Sequence, residues 1–306
     1  MEGHSSLLPP RPAALVRARP RQLLGQRRWW APLLAALLLC LLAVPGIELF
    51  ESSLRPFPSL GHYDRVFDSA EPYRGVIFDT FDIAALSTLL TAAVGLPFAY
   101  YASMRSGWKR TAALLILVIP FFTGILVKNF AWTVIFQDSG ALNDALGALG
   151  LGHVDLLFTR TAVLIGMVHY LLPLFVLPVY ASLVKIDPRL KLAARSLGAG
   201  PVMTFWLVTI RLARPGVVTG TIVVFIVSLG FYVTPAMLGG RGNLMVANVI
   251  DTSVRKLADF DFAAALAGVV TVIVLALLPI ALRYVRPEAS TSDSLMGAVG
   301  SKDGPR

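Results

Sequence analysis

Side chains able to do covalent chemistry are sparse in this chain of 306 residues. The four histidines, His4, His62, His153 and His169, lie far apart, and the single cysteine, Cys40, sits inside an apolar run. No zinc-ligand spacing, no Ser/His/Asp set and no pair of catalytic carboxylates emerges. Neither a catalytic residue nor a metal site is expected. The residue pattern offers binding instead. Asp138 and Asp251 could attract a cation, or could be ordinary solvated loop acids. Trp132, Phe231 and Tyr232 could form an aromatic binding surface, or could anchor the chain at a membrane interface. His169 suits a hydrogen bond between helices, or a proton or substrate role.

The segment Lys191-Leu-Ala-Ala-Arg-Ser-Leu-Gly-Ala-Gly-Pro201 carries the sharpest local pattern. Asp187 can cap a helix and Pro188 suits its first position. Leu190, Ala193, Ala194 and Leu197 then fall on one face, at the i, i+3, i+4 and i+7 spacing. Gly198 is a stop, and Pro201 can open a second helix bearing Phe205 and Trp206. An apolar face on such a loop either docks a soluble partner or folds back on its own bundle.

These elements must be positioned by a membrane scaffold. The chain is 56% hydrophobic and 15% charged, with mean hydropathy +0.71, where a soluble domain carries about 25% charged residues. Six stretches are long enough to span a bilayer: 29–47, 83–104, 111–127, 161–184, 215–238 and 262–282. None contains Asp, Glu, Lys or Arg. Prolines at 97, 120, 173, 178, 235 and 279 would break soluble helices but are tolerated in membrane ones. The first stretch reads as a retained anchor, with a cleaved signal peptide as the alternative. The short run Asn129–Phe136 suits an interfacial or re-entrant helix.

The formal net charge of +9 is placed by topology rather than by nucleic acid. Of 27 Lys and Arg residues, 19 fall in the two tails and in the loops after the second and fourth stretches. The positive-inside rule puts those segments, and both termini, in the cytoplasm. The resulting layout is a basic tail over 1–28, a first transmembrane helix over 29–50 and an extracytoplasmic loop over 51–82. A core over 83–285 follows, with a cytoplasmic loop at 185–214, and then a second tail over 286–306. Composition predicts disorder in both tails. The basic surplus suits lipid headgroups, and no nucleic-acid partner is expected.

The loop resembles the cytoplasmic signature of permease subunits of ATP-binding-cassette importers. Ala193, Ala194 and Gly198 match it, and Val208 and Ile210 stand at its Ile and Leu positions. Leu192 replaces its glutamate and Arg211 its final proline. Pro120-Phe-Phe-Thr123, Asn129-Phe-Ala-Trp132, Ser139-Gly140 with Asn143, Leu149-Gly-Leu151, Leu177-Pro-Val-Tyr180, Lys185-Ile-Asp-Pro188 and Thr234–Gly240 are similar to the spermidine/putrescine branch. The similarity runs over residues 75–286.

The resemblance implies an all-α membrane protein of the type I importer permease fold, with six transmembrane helices and both termini cytoplasmic. It implies a bacterial inner-membrane location and a path for polyamines or a related small charged solute. It also implies three partners: a cytoplasmic ATPase dimer, a second and different permease chain, and an extracytoplasmic solute-binding protein. No cofactor is expected in this chain. It has no Walker-type Gly-x-x-x-x-Gly-Lys-Ser/Thr, so ATP and Mg belong to the ATPase. The coupling residues, from the resemblance and the apolar stripe together, are Leu190, Leu192, Ala193, Ala194, Leu197, Gly198, Val208 and Ile210; Trp132, Asp138, Tyr232 and Asp251 are the candidate pathway residues on their own chemistry. Rival readings are a secondary transporter working without an ATPase and a degenerate, non-coupling subunit. The first calls for inverted repeats and mid-membrane charges, which the sequence does not display.

Overall fold

The computed structural model describes residues 30–54, 61–67 and 73–285. Both tails, with the disorder expected of them, and parts of the first outer loop lie outside those residues. The chain divides into two compact units, residues 1–48 and 49–306. In chain order the helices are α1 (Trp30–Ser53), α2 (Gly61–Phe67), α3 (Tyr73–Ser103), α4 (Gly107–Phe122), α5 (Ile125–Phe136), α6 (Ala141–Ala148) and α7 (Arg160–Val184). There follow α8 (Pro188–Ser196), α9 (Pro201–Thr204), a π-helical segment (Phe205–Ile210), α10 (Arg211–Leu229), α11 (Val233–Leu238), a 3₁₀ turn (Arg241–Asn243), α12 (Val246–Arg255) and α13 (Phe260–Val285). Among the described residues, extended pairing is limited to one isolated bridge between Phe158 and Gly239.

Among the described residues, four helical stretches are long and apolar enough to cross a membrane: Tyr73–Ser103, Arg160–Val184, Pro201–Leu229 and Phe260–Leu277. A fifth arises if α4 and the Ile125–Ala148 segment are one span, bent by 98°. The bounds differ from the hydropathy reading in three places, each with a local cause.

Helix α3 begins ten residues before the apolar run expected at 83. It accommodates Asp79 and Asp82, and Asp82 pairs with Arg160 at the start of α7. The stretch expected at 111–127 is cut at Thr123-Gly124, where both residues leave the helical region. The stretch expected at 215–238 instead starts at Pro201, runs through Arg211 and Arg214, and stops at Gly230. The second helix expected to open at Pro201 within the 185–214 loop is thus not a separate element but is continuous with the span.

Helix α7 is the centre of the bundle. Val163, Met167, Leu171, Phe175, Val176 and Val179 are fully buried along it. Helices α3 and α10 lie against it through small residues. A Cβ on Gly220 would sit 2.9 Å from the Phe175 carbonyl oxygen, and one on Gly216 would sit 2.5 Å from that of Pro178. Such positions let helix backbones approach closely where lipid offers no hydrophobic drive to associate. Buried hydroxyls are satisfied within the bundle. Thr88 and Thr91 donate to carbonyls one turn back, and Ser87 bonds Ser228 across α3 and α10 at 3.3 Å. A second small core joins Val66, Val246, Phe262 and Leu266, with Tyr73 against the Phe262 ring at 4.7 Å.

Candidate functional site

Helix α8 forms from the signals in its own sequence. The Asp187 carboxylate accepts from the Arg189 N–H at 2.8 Å, and Pro188 occupies the first turn. The helix ends in a Schellman motif. The Gly198 N–H donates to the Arg195 carbonyl at 2.9 Å, and the Ala199 N–H donates to Ala194 at 3.0 Å. Gly198 adopts φ +85°, a left-handed conformation that glycine takes without steric cost. Arg195 in the last turn complements the helix dipole.

No residue of α8 is buried. On the apolar face Leu197 is 89% exposed and Leu190 and Ala193 are exposed beside it, with Ala194 half-buried; Leu192, on the opposite side of the helix, is 60% exposed. The apolar face therefore does not fold back onto this chain's own bundle. Val202, Met203 and Trp206 continue the apolar surface on the next turns. One cation holds the helix to the bundle from its other face. The Lys191 ammonium lies 5.4 Å from the Tyr100 ring centre, and Tyr100 packs edge-on against Phe205 at 4.8 Å. Val208 and Ile210 sit half-buried in the π segment, away from the exposed face.

The expected pathway residues divide into three places. The Tyr232 hydroxyl donates to the Asp251 carboxylate at 3.1 Å, and the Arg255 guanidinium holds the other oxygen at 2.6 Å. The hydrogen bond to Asp251 is the main force raising the Tyr232 phenol above its ordinary value of 10.0. Asp251 is thus already paired, and its charge is partly neutralised. The Trp132 indole N–H, on α5, donates to His169 Nδ1, on α7, at 3.3 Å, so His169 makes a bond between helices. Asp138 is exposed on a separate corner with His153 and Asp155, their ligand atoms within 4.8 Å of one another. Both ring nitrogens of His153 are engaged there, with the Asp138 carbonyl at 3.1 Å and Asp155 at 3.4 Å.

Sequence reading named Phe231 as a candidate aromatic surface but missed the partners that packing gives it, Phe121 and Tyr170. Phe121 and Phe231 each lie 5.4 Å from Tyr170. The Lys128 ammonium sits 4.4 Å from the Tyr170 ring centre. These residues come from α4, α5, α7 and the α10–α11 turn, and no local spacing announces them.

Comparison with known proteins agrees with this geometry. Residues 93–288 match the model of the family described as binding-protein-dependent transport system inner membrane component. The spermidine/putrescine transport system permease protein PotB of Escherichia coli K12 is 33% identical over 219 residues, covering 70% of this chain and 78% of that protein. PotB of Haemophilus influenzae is 30% identical, covering 78% and 84%. The fold is similar to a chain of a bacterial alginate ABC transporter crystallised with its oligosaccharide-bound periplasmic protein. There the TM-score is 0.68 at 20% identity, covering 84% of this chain and 93% of that one.

Proposed function

From the premise that this chain belongs to the family of binding-protein-dependent transport system inner membrane components, we propose that it forms half of an ATP-driven import pathway for spermidine, putrescine or a closely related polyamine. The protein is an inner-membrane permease subunit of an ATP-binding-cassette importer. Two observations support polyamine as the cargo: the substrate named for the relatives, and the aromatic run at Phe121, Tyr170 and Phe231, where the Tyr170 ring already holds an alkylammonium group, that of Lys128. Aromatic faces suit an aliphatic cation through cation–π attraction. Tyr232 with its Asp251–Arg255 pair adds a polar contact, and the exposed Asp138 and Asp155 add acidic groups on a separate corner.

Six spans, made by α1, α3, the bent α4–α5 pair, α7, the α9–α10 rod and α13, would carry the pathway with both termini in the cytoplasm. The observation that carries the coupling is the unburied apolar face of α8, ended by its glycine motif. A cytoplasmic ATPase dimer binds that face and supplies ATP and Mg. A second permease, a different chain, completes the pathway, and an extracytoplasmic binding protein delivers cargo to the opposite side. ATPase closure pushes α8, and the push passes into the α9–α10 rod.

Uptake by the assembled importer in proteoliposomes tests the proposal. Spermidine or putrescine should enter only with ATP and every partner present, and with no proton gradient. Gradient-driven uptake by this chain alone would refute the ATP-driven mechanism. Binding-protein-dependent uptake of another solute, with none of polyamine, would keep the mechanism and discard the cargo.

A further inference from the structure

A groove that shares no lining residue with the aromatic run opens between the end of α3 and the start of α4. It encloses about 400 Å³. Its walls are apolar, from Phe98, Tyr101 and Ile116, and its rim carries Arg105, Trp108 and Lys109. The Arg105 guanidinium lies 4.5 Å from the Tyr101 ring centre. Trp108 is 76% exposed. Neither Arg105 nor Lys109 has a carboxylate partner among the described residues.

The side on which this groove sits follows from packing. Tyr100, on α3 between the lining residues Phe98 and Tyr101, touches Lys191 of α8 and Phe205. Arg110 lies over Tyr180 near the end of α7, 5.2 Å from its ring centre. The groove therefore shares an end of the bundle with α8. On the reading above, that is the cytoplasmic leaflet, where anionic headgroups concentrate. A tryptophan at the rim suits the headgroup level, and apolar walls suit an acyl chain.

We propose that this groove is a binding site for an anionic glycerophospholipid, whose phosphate is held by Arg105 and Lys109 and whose acyl chain lies against Phe98 and Ile116. The two cations define its selectivity. Uncompensated ammonium and guanidinium groups favour a net negative headgroup over a zwitterionic one. Each cation contributes about a fivefold preference, so the pair gives roughly 25-fold.

The test uses the full chain in its assembled importer, in phosphatidylcholine nanodiscs that leave both leaflets open. Sidedness and transport are then irrelevant to the readout. Brominated phosphatidylglycerol is titrated against brominated phosphatidylcholine, and the fluorescence lost on Trp108→Phe is taken as the Trp108 signal. Phosphatidylglycerol should quench that signal with about 25-fold preference. The double variant R105Q/K109Q should bring the ratio close to one, and R105K/K109R should keep it. Inorganic phosphate at millimolar concentration should not compete, because it lacks the chain. Each of these results would overturn the proposal: equal quenching by both lipids, an unchanged preference in R105Q/K109Q, full competition by phosphate, or no Trp108 signal because a protein subunit covers the groove.

Discussion

Replacing Gly198 separates a helix that docks a partner from one that stabilises its own bundle. Its φ of +85° lies in the left-handed region, which costs an L-residue about 1–2 kcal/mol. A Cβ there would meet nothing within 4 Å, so strain is the whole effect and no steric clash adds to it. Helix α8 has nine residues, none buried. Helices that short are marginal without tertiary support. A penalty of about 1–2 kcal/mol therefore lowers the ratio of formed to frayed α8 by about 5- to 30-fold. A partner that binds only the formed helix must make up that difference. Gly198→Val should weaken ATPase binding by about the same 5- to 30-fold, read by titrating the purified ATPase onto the permease in nanodiscs. Gly198→Asn should bind nearly as the parent does, since Asn tolerates the left-handed conformation. The melting temperature of the permease alone should move by much less than the binding does in either variant, because α8 has no fully buried residue and meets the bundle mainly through Lys191. Three results refute the reasoning: parental ATPase affinity in Gly198→Val, equal loss in both variants, or a fall in the permease's own melting temperature that matches the loss of binding.

Leu197→Asp should cut ATPase co-purification without loss of membrane insertion, whereas Leu192→Glu, which restores the family's acid at an exposed site, should be tolerated; quantitative pull-down distinguishes the two. Gly216→Leu should destabilise the bundle by more than the usual 1–3 kcal/mol of overpacking, since even its Cβ would lie 2.5 Å from the Pro178 carbonyl oxygen, a backbone atom that cannot rotate away; the melting temperature in detergent reports this. The Tyr232 phenol is raised above 10.0 by its bond to Asp251, so that bond's contribution is full below pH 10 and is lost as pH climbs through the raised value; an alkaline melting series on Tyr232→Phe should lack this loss. On a Cys40→Ser background, cysteines at Ser106 and Ser196 should label only from the cytoplasm and one at Ser139 only from outside.

Legibility in the sequence tracked how local each interaction is. Asp187, Pro188, Gly198 and Pro201 act within a turn of themselves, and each does in the structure what its type and place suggest. Apolar length located the bundle helices, but their ends were set by other residues. Arg211 and Arg214 look like loop charges, yet they continue a helix whose π segment begins six residues earlier. Gly230 and the Thr123-Gly124 pair cut apolar runs that hydropathy reads straight through. Asp82 is admitted to α3 by an arginine 78 residues away. The Lys128–Tyr170 contact and the groove beside Arg105 depend on which helices become neighbours, and no spacing along the chain encodes that.

The unbroken helix from Pro201 to Leu229 has a mechanical meaning. Its 29 residues make a lever about 40 Å long. One end abuts the turn after α8, and the other ends at Gly230, two residues from Tyr232. Each degree of tilt at the first end sweeps the second by roughly 0.7 Å, a figure set by length alone. A few degrees are then enough to pull the Tyr232 hydroxyl out of reach of Asp251, 3.1 Å away, with no helix unwinding. The π segment lies near the loaded end, where its wider turn gives the lever its most compliant stretch. Stiffening that stretch by deleting one residue would turn everything beyond it by about 100° about the helix axis. The far end would then present a different side chain to the acid.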